Sequence, residues 1–166
     1  MFNIENILKL VEAYITKNFD ENIKPKEFVA HGILRDEILS EVDFIKLFSQ
    51  TKNGYETFSE MLLRLIKESG ASNADIYKSA NIDRRHFSKI VNHPDYKPSK
   101  QTVLAFAVAL KLNFGTAKEL LAVAGFALSK ANLFDVIVSF FIEYKIYDVD
   151  LVNQVLYKYN QPLLGG

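Results

Sequence analysis

Apolar residues that recur every three or four positions are the feature that most constrains the fold of this chain of 166 residues. Such spacing places the apolar side chains on one stripe of an α-helix, which packs that stripe against a core. The first stretch of this kind spans residues 3–17 and carries Ile4, Ile7, Leu8, Val11 and Ile15. No stretch alternates between apolar and polar residues for long enough to predict a convincing strand. The sequence therefore predicts an all-α protein.

Capping residues and glycines divide the second part of the chain into short predicted helices. The side chains of Ser, Asn and Asp accept hydrogen bonds from the free N–H groups that begin a helix, and glycine often ends one. Helix ends are predicted at Gly70 and Gly125, and Thr116 with Glu119 predicts a capping box for the helix "AKELLAVA". The predicted N-caps are Ser72, Asp83, Ser99, Asn132 and Asp148.

Two further patterns complete the predicted organisation of the chain. The stretch "KQTVLAFAVALKL" is apolar on most helical faces, which predicts a buried central helix. Between Pro25 and Gln50 a weaker apolar pattern predicts one or two short helices. Asn53 and Gly54, within "TKNGYET", favour a turn, and a domain boundary is therefore predicted there.

Composition excludes several classes of protein. The apolar fraction of 49% and the charged fraction of 24% are those of a globular protein rather than a disordered one. The absence of cysteine excludes disulfide bonds and thiolate metal sites. The first helical stretch carries Glu5 and Glu12 and lacks a basic leader, so it predicts neither a signal peptide nor a membrane span. We therefore expect a cytoplasmic protein without a membrane partner.

Charge is unevenly distributed along a chain whose formal net charge is zero. Residues 1–50 hold six basic and nine acidic residues, whereas residues 51–100 hold nine basic and six acidic ones. From Asp83 to Lys100 there are five basic residues and two acidic ones. The middle third is therefore the part that could attract an anion, while zero net charge predicts a modest non-specific affinity for nucleic acid.

The order of the predicted helices in residues 58–124 resembles the Cro/Xre, or lambda-repressor-like, helix-turn-helix family. Five short helices are predicted there, with a tight turn between the second and the third and a basic third helix. Gly70 precedes the second helix, Ile76 stands where that helix buries a leucine in the family, and Asn81-Ile82 stands where the family has Gly-Val. The segments "FSKI" and "YKPSKQTVLAFAVALKL" parallel the family's third helix and its next loop and helix. A vaguer resemblance, to an Xre-like module of unclear role at the C-terminus of varied bacterial proteins, extends through "QPLLG".

The resemblance implies a five-helix lambda-repressor-like helix-turn-helix domain in residues 53–128. Residues 1–52 then form an N-terminal helical segment, and residues 129–166 form a C-terminal helical hairpin that could act as a dimerisation element. Aromatic residues in that hairpin, from Phe134 to Tyr147, predict a core or a helix–helix seam. Any exposed part of this aromatic stripe would be a dimer surface.

The basic third helix, "RRHFSKIVN", is the candidate functional element. Its spacing turns Phe87 and Ile90 inward and leaves its cations outward. The resemblance implies that this helix enters the major groove of DNA, where an arginine can pair with guanine, and that residues flanking it contact phosphate. The predicted DNA-binding residues are Asn73, Arg84, Arg85, Ser88, Lys89, His93, Lys97, Lys100 and Gln101.

The function implied is that of a sequence-specific double-stranded DNA-binding protein, a transcriptional regulator of bacterial or phage type that acts as a homodimer. One alternative is that the cations of residues 84–100 are only a solvated helix face. Another is a protein-interaction adapter or antitoxin-like module that keeps the scaffold without binding DNA and docks a partner through residues 1–50 or the C-terminal helices. Tyr77 stands where the family usually has a small residue, so its phenol is expected either to separate the second and third helices or to turn outward.

Neither an enzyme nor a metal site is predicted. The sequence lacks a nucleophile elbow, a P-loop and a GxGxxG motif, and no cofactor is expected. His86 and His93 lie seven residues apart and His31 is remote, so the spacing predicts surface or half-buried histidines rather than metal ligands. The stretch "LLGG" invites comparison with the diglycine tail of ubiquitin-like proteins, but no β-grasp pattern precedes it, and a flexible end is predicted instead.

Overall fold

The computed structural model describes residues 3–22 and 56–166, and these two ranges contain eight α-helices and no strand. In chain order the helices are α1 (Ile4–Asn18), α2 (Phe58–Ser69), α3 (Asn73–Ser79), α4 (Arg84–Asn92), α5 (Lys100–Ala109), α6 (Phe114–Val123), α7 (Leu133–Glu143) and α8 (Val149–Lys158). The all-α prediction is confirmed for this part of the chain. The helices predicted between Pro25 and Gln50, and the boundary predicted at Asn53 and Gly54, lie outside the described residues.

Helix α5 is the centre of the core. All of its residues from Thr102 to Val108 are buried, as its apolar sequence predicts. Helices α3, α6 and α8 pack against it. Buried side chains from each of the eight helices join one continuous hydrophobic cluster. Because a helix that is apolar on every face must be covered all round, α5 dictates where its neighbours lie.

Side-chain caps begin most helices where the sequence predicts. Confirmed N-caps are Ser72, Asp83, Ser99, Asn132 and Asp148. The capping box predicted for Thr116 and Glu119 is wrong, because α6 begins earlier, at Phe114. Asn113 Oδ1 accepts a hydrogen bond from the Thr116 N–H at 2.9 Å, so Thr116 already lies within the first helical turn. An earlier residue with a strong capping side chain therefore sets the start of this helix.

Helices α7 and α8 share their core with α5 and α6, and α1 packs on α7. The ring of Tyr14 in α1 stands edge-on to that of Phe140, with 5.4 Å between the ring centres. Phe134, Phe140 and Phe141 are buried, which confirms a core role for most of the predicted aromatic stripe. Tyr144 at the end of α7 is 60% exposed and is the part of the stripe that faces solvent.

One buried ion pair joins the start of α5 to the start of α7. Lys100 Nζ lies 2.7 Å from Asp135 Oδ1 and donates a hydrogen bond to the Ala127 carbonyl at 2.6 Å. The Asp135 carboxylate is only 1% exposed and also accepts a hydrogen bond from the Ser129 N–H at 2.8 Å. Removing one partner of such a pair leaves a buried charge without compensation, at a cost of about 3–5 kcal/mol.

We expect Lys100→Met to lower the free energy of unfolding by about 3 kcal/mol, because buried Asp135 loses its cation. Urea unfolding at neutral pH measures this change. The matched control is Lys97→Met, which removes an exposed lysine from the preceding loop and should change stability by less than about 0.5 kcal/mol. Equal stability of the two variants would show that the ion pair does not hold α5 to α7.

Candidate functional site

A tight turn centred on Asn81 joins α3 to α4. Asn81 has a φ of 54°, a left-handed conformation that asparagine tolerates. The Ile82 N–H donates a hydrogen bond to the Tyr77 carbonyl at 2.9 Å, and the Ile82 side chain is buried. Backbone hydrogen bonding and an apolar anchor therefore fix the point at which α4 starts.

Asp83 caps the first turn of α4. Its Oδ1 accepts hydrogen bonds from the N–H of Arg85 at 2.8 Å and from the N–H of His86 at 2.9 Å. The hydrogen bond from the His86 N–H is the main reason that the pKa of the Asp83 carboxyl lies below its ordinary value, and the bond from Arg85 has a smaller effect. The carboxylate also lies at the positive end of the helix dipole. A charged cap therefore orders the turn that carries both arginines.

The inner face of α4 is anchored on three neighbouring helices. Phe87 and Ile90 are buried, as their spacing predicts. The ring centre of Phe87 lies 6.1 Å from that of Phe106 in α5 and 5.3 Å from that of Tyr77 in α3. Ser59 of α2 donates a hydrogen bond from Oγ to the Ile90 carbonyl. These contacts hold α4 in place and leave its opposite face to solvent.

Tyr77 does not turn outward, which was one of the two arrangements expected for it. The side chain is half-buried and packs against the hydrophobic core, with its ring against Phe87. Helices α3 and α4 remain in contact around this aromatic pair. The larger residue is therefore accommodated inside the contact between the two helices.

The outer face of α4 is cationic and exposed. Arg84, Arg85, Ser88 and Lys89 are all exposed, and Asn92 Nδ2 donates a hydrogen bond to Ser88 Oγ at 3.0 Å. Among residues 3–22 and 56–166, no carboxylate lies within ion-pair distance of either arginine. Guanidinium groups are planar, permanently charged donors that suit phosphate and the edge of guanine. Such a face can bind an anionic polymer.

Lys89 packs against an aromatic residue of the loop after α4. Its Nζ lies 4.6 Å from the ring centre of Tyr96, and Tyr96 Oη lies 3.2 Å from Nε2 of half-buried His86. The cation–π contact restrains the lysine on the surface without removing its charge. Sequence reasoning missed Tyr96, because it lies ten residues from His86 and no local pattern pairs the two.

The other predicted binding residues fall on three segments. Asn73 is exposed at the first position of α3, His93 and Lys97 are exposed in the loop between α4 and α5, and Gln101 is half-buried in the first turn of α5. Lys100 differs, because its ammonium group is held in the buried ion pair with α7. Lys100 is half-buried with its charge paired, and its role as a phosphate contact stays a prediction.

The described part of the chain contains neither a metal-binding cluster nor a membrane-spanning helix. Within it, no three His, Asp or Glu side chains come close enough together to hold a metal ion. His93 is exposed, His86 contacts Tyr96, and His31 lies outside the described ranges. No helix in these ranges has the length and apolar character needed to cross a bilayer.

Comparison of the chain with protein-family models, with curated proteins and with solved structures finds no match. The resemblance to the Cro/Xre family stays a prediction from the sequence of residues 58–124. A function for the protein therefore has to be inferred from the charge, exposure and anchoring of α4.

We expect Asp83→Asn to change how stability depends on pH. The folded-state pKa of Asp83 is lowered, so its contribution is fully present above the unfolded pKa of about 3.9 and is lost as pH falls through the lower folded value. The wild type should therefore be more stable than the variant at neutral pH, and the difference should shrink below about pH 4. Urea unfolding at a series of pH values measures it.

The control for this prediction is Asp95→Asn, which changes an exposed aspartate in the loop after α4. Asp95 caps no helix, so the difference between this variant and the wild type should show no comparable loss between neutral and acid pH. A pH-independent difference between the wild type and Asp83→Asn would contradict a charged cap on α4.

Proposed function

We propose that the protein binds double-stranded DNA in a sequence-specific manner and acts as a transcriptional regulator of bacterial or phage type. The observation that carries this proposal is the exposed pair Arg84 and Arg85 at the start of a short helix that Phe87 and Ile90 anchor from the other side. No described carboxylate neutralises the pair. Such a regulator would act in the cytoplasm, the location expected from the sequence.

The proposed binding mode places α4 in the major groove. That groove is about 12 Å wide and admits an α-helix, and the N-terminal residues of a recognition helix face the base edges. Arg84 and Arg85 occupy the first two positions of α4. An arginine that pairs with guanine through two hydrogen bonds contributes about 1–3 kcal/mol of discrimination against the wrong base. The two arginines are therefore the proposed base-reading residues.

We propose the lambda-repressor-like arrangement for α2–α6, with α3 and α4 as the two helices of the helix-turn-helix. Three features support it: the left-handed Asn81 in the connecting turn, the packing of α3 on α5, and the anchoring of α4 on α2. In this arrangement the first residue of α3, Asn73, lies near a phosphate or an adenine. In this arrangement α3 supports α4, and α4 is the recognition helix.

Residues around α4 would fix its register on the duplex through the phosphate backbone. Lys89, His93 and Lys97 carry exposed basic side chains on α4 and on the loop after it, and Ser88 and Gln101 add polar groups. Contacts of this kind position a protein without reading sequence. Because the net charge of the chain is zero, specific contacts from the arginines must supply most of the preference for one site.

A homodimer is proposed as the active form. One helix-turn-helix unit makes few base contacts, and two units bound to half-sites about 34–36 Å apart along the duplex would raise both affinity and specificity. The C-terminal helices are the proposed contact between copies. Tyr144 and Tyr157 are 60% and 77% exposed on this part of the molecule and supply apolar surface for it.

A second candidate function is that of a protein-interaction adapter or antitoxin-like module. It is favoured by exposed apolar side chains outside α2–α6, at Leu10 in α1, at Tyr144 directly after α7 and at Tyr157 in α8. Retention on heparin and on bulk DNA distinguishes the two functions. The adapter would be retained weakly, and neutralising Arg84 and Lys89 would not change its retention.

We expect the double variant Arg84→Ala/Arg85→Ala to lose specific DNA binding while keeping its fold. Loss of two guanine contacts should weaken binding to the preferred duplex by at least about 30-fold. Fluorescence anisotropy at fixed salt measures the affinity, and circular dichroism verifies the helical content. Lys67→Ala/Lys130→Ala removes the same charge from exposed positions outside the proposed DNA-binding and dimer surfaces and should bind the site as the wild type does. Site-specific binding that survives in the arginine variant would exclude this mechanism.

A phosphate contact from Lys97 has a different signature. Lys97→Ala should weaken binding to specific and random duplexes alike and reduce the slope of log affinity against log salt by about 1. Anisotropy titrations over a range of salt concentrations measure that slope. An unchanged slope, or a loss confined to the preferred sequence, would remove Lys97 from the phosphate-contacting set.

A further inference from the structure

The segment after α8 folds back onto the body of the protein. Leu164 is 4% exposed, and the side chain of Asn153 in α8 pairs with both of its backbone polar groups. Asn153 Oδ1 accepts a hydrogen bond from the Leu164 N–H at 2.7 Å, and Asn153 Nδ2 donates to the Leu164 carbonyl at 3.0 Å. The prediction of a flexible end is therefore wrong, because a buried side chain and two hydrogen bonds hold the segment.

The next two residues, both glycines, reach the base of α4. The Gly165 carbonyl accepts a hydrogen bond at 3.0 Å from the hydroxyl of buried Thr102 in α5. Gly165 has a φ of 126°, and a Cβ built on it would lie 2.9 Å from the carbonyl oxygen of Asn81. A Cβ on Gly166 would collide with the ring of His86. Both positions therefore require a residue without a side chain.

A further contact joins the same two parts of the molecule. Asn81, in the turn between α3 and α4, donates a hydrogen bond from Nδ2 to Asp150 Oδ1 in α8 at 2.8 Å. The turn is thus held by α8 directly and by residues 164–166. His86 in α4 also contacts Tyr96, and the ring of Tyr96 lies beneath the ammonium group of Lys89.

We propose that residues 164–166 are a latch that positions α4 for DNA binding. The latch joins α8, through Asn153, to the turn at Asn81 and to His86 within α4, and so sets the orientation in which α4 presents its arginines. Leu164 and Gly165 are thus positioning residues. The consequence for DNA rests on the proposed function, whereas the latch itself is a property of the fold.

The test compares Gly165→Ala with Gly125→Ala in the full chain. Both glycines have positive φ, but a Cβ on Gly125 has no atom within 4 Å, whereas one on Gly165 meets the backbone of Asn81. The control therefore places a Cβ on another residue with positive φ, without the collision. NMR measures amide hydrogen exchange in residues 81–89 and the ring resonances of His86, and anisotropy measures affinity for the preferred duplex.

We expect Gly165→Ala to speed exchange in residues 81–89 by about tenfold, to shift the His86 resonances, and to weaken specific DNA binding by about tenfold. Gly125→Ala should do none of these. Asn153→Ala removes both hydrogen bonds to Leu164 without touching α4, and it should reproduce the effects of Gly165→Ala. If Gly165→Ala fails to fold, Asn153→Ala tests the latch in its place.

Each alternative outcome has a definite meaning. Exchange and His86 resonances that match the wild type in both latch variants would overturn the latch. Faster exchange with unchanged specific affinity would overturn its positioning role. If the wild type binds no duplex, the proposed function fails, while exchange in residues 81–89 still decides whether the latch exists.

Discussion

The burial of α5 on every face is the constraint on which the rest of the structure depends. An apolar helix without a polar face has to be covered all round, and α3, α6 and α8 supply that cover. Phe106 of α5 also contacts Phe87 of α4 and Phe58 of α2. Through this one helix, the arginine-bearing α4 and the C-terminal helices become parts of a single core.

Helix α4 depends on its neighbours for its position, and this dependence leaves its outer face free. A helix of nine residues is too short to be stable alone, so the Asp83 cap and the burial of Phe87 and Ile90 must hold it. None of these groups uses the exposed side of the helix. Arg84 and Arg85 can therefore contact a ligand without disturbing the packing of the core, which is the physical basis of the proposed function.

The sequence predicts those features that arise from residues close together in the chain. Asp83 and the burial of α5 follow from local capping and spacing rules, and both are confirmed. Asn113 shows the limit of such rules, because two residue types capable of capping stand near each other and the earlier one begins the helix. The pair Lys100–Asp135 and the fold-back of Leu164 join residues distant in sequence. No local pattern specifies such pairing, so the sequence alone does not predict the ion pair of Lys100, and it predicts flexibility for a segment that is packed.

The most direct test of DNA recognition by α4 is selection of bound sequences from a random duplex pool at a stated salt concentration. A dimer that reads bases through two copies of α4 should enrich an inverted repeat that contains guanines, with half-sites about one helical turn apart. A selected pool that stays as random as the starting one would contradict the account and leave the adapter function as the better interpretation.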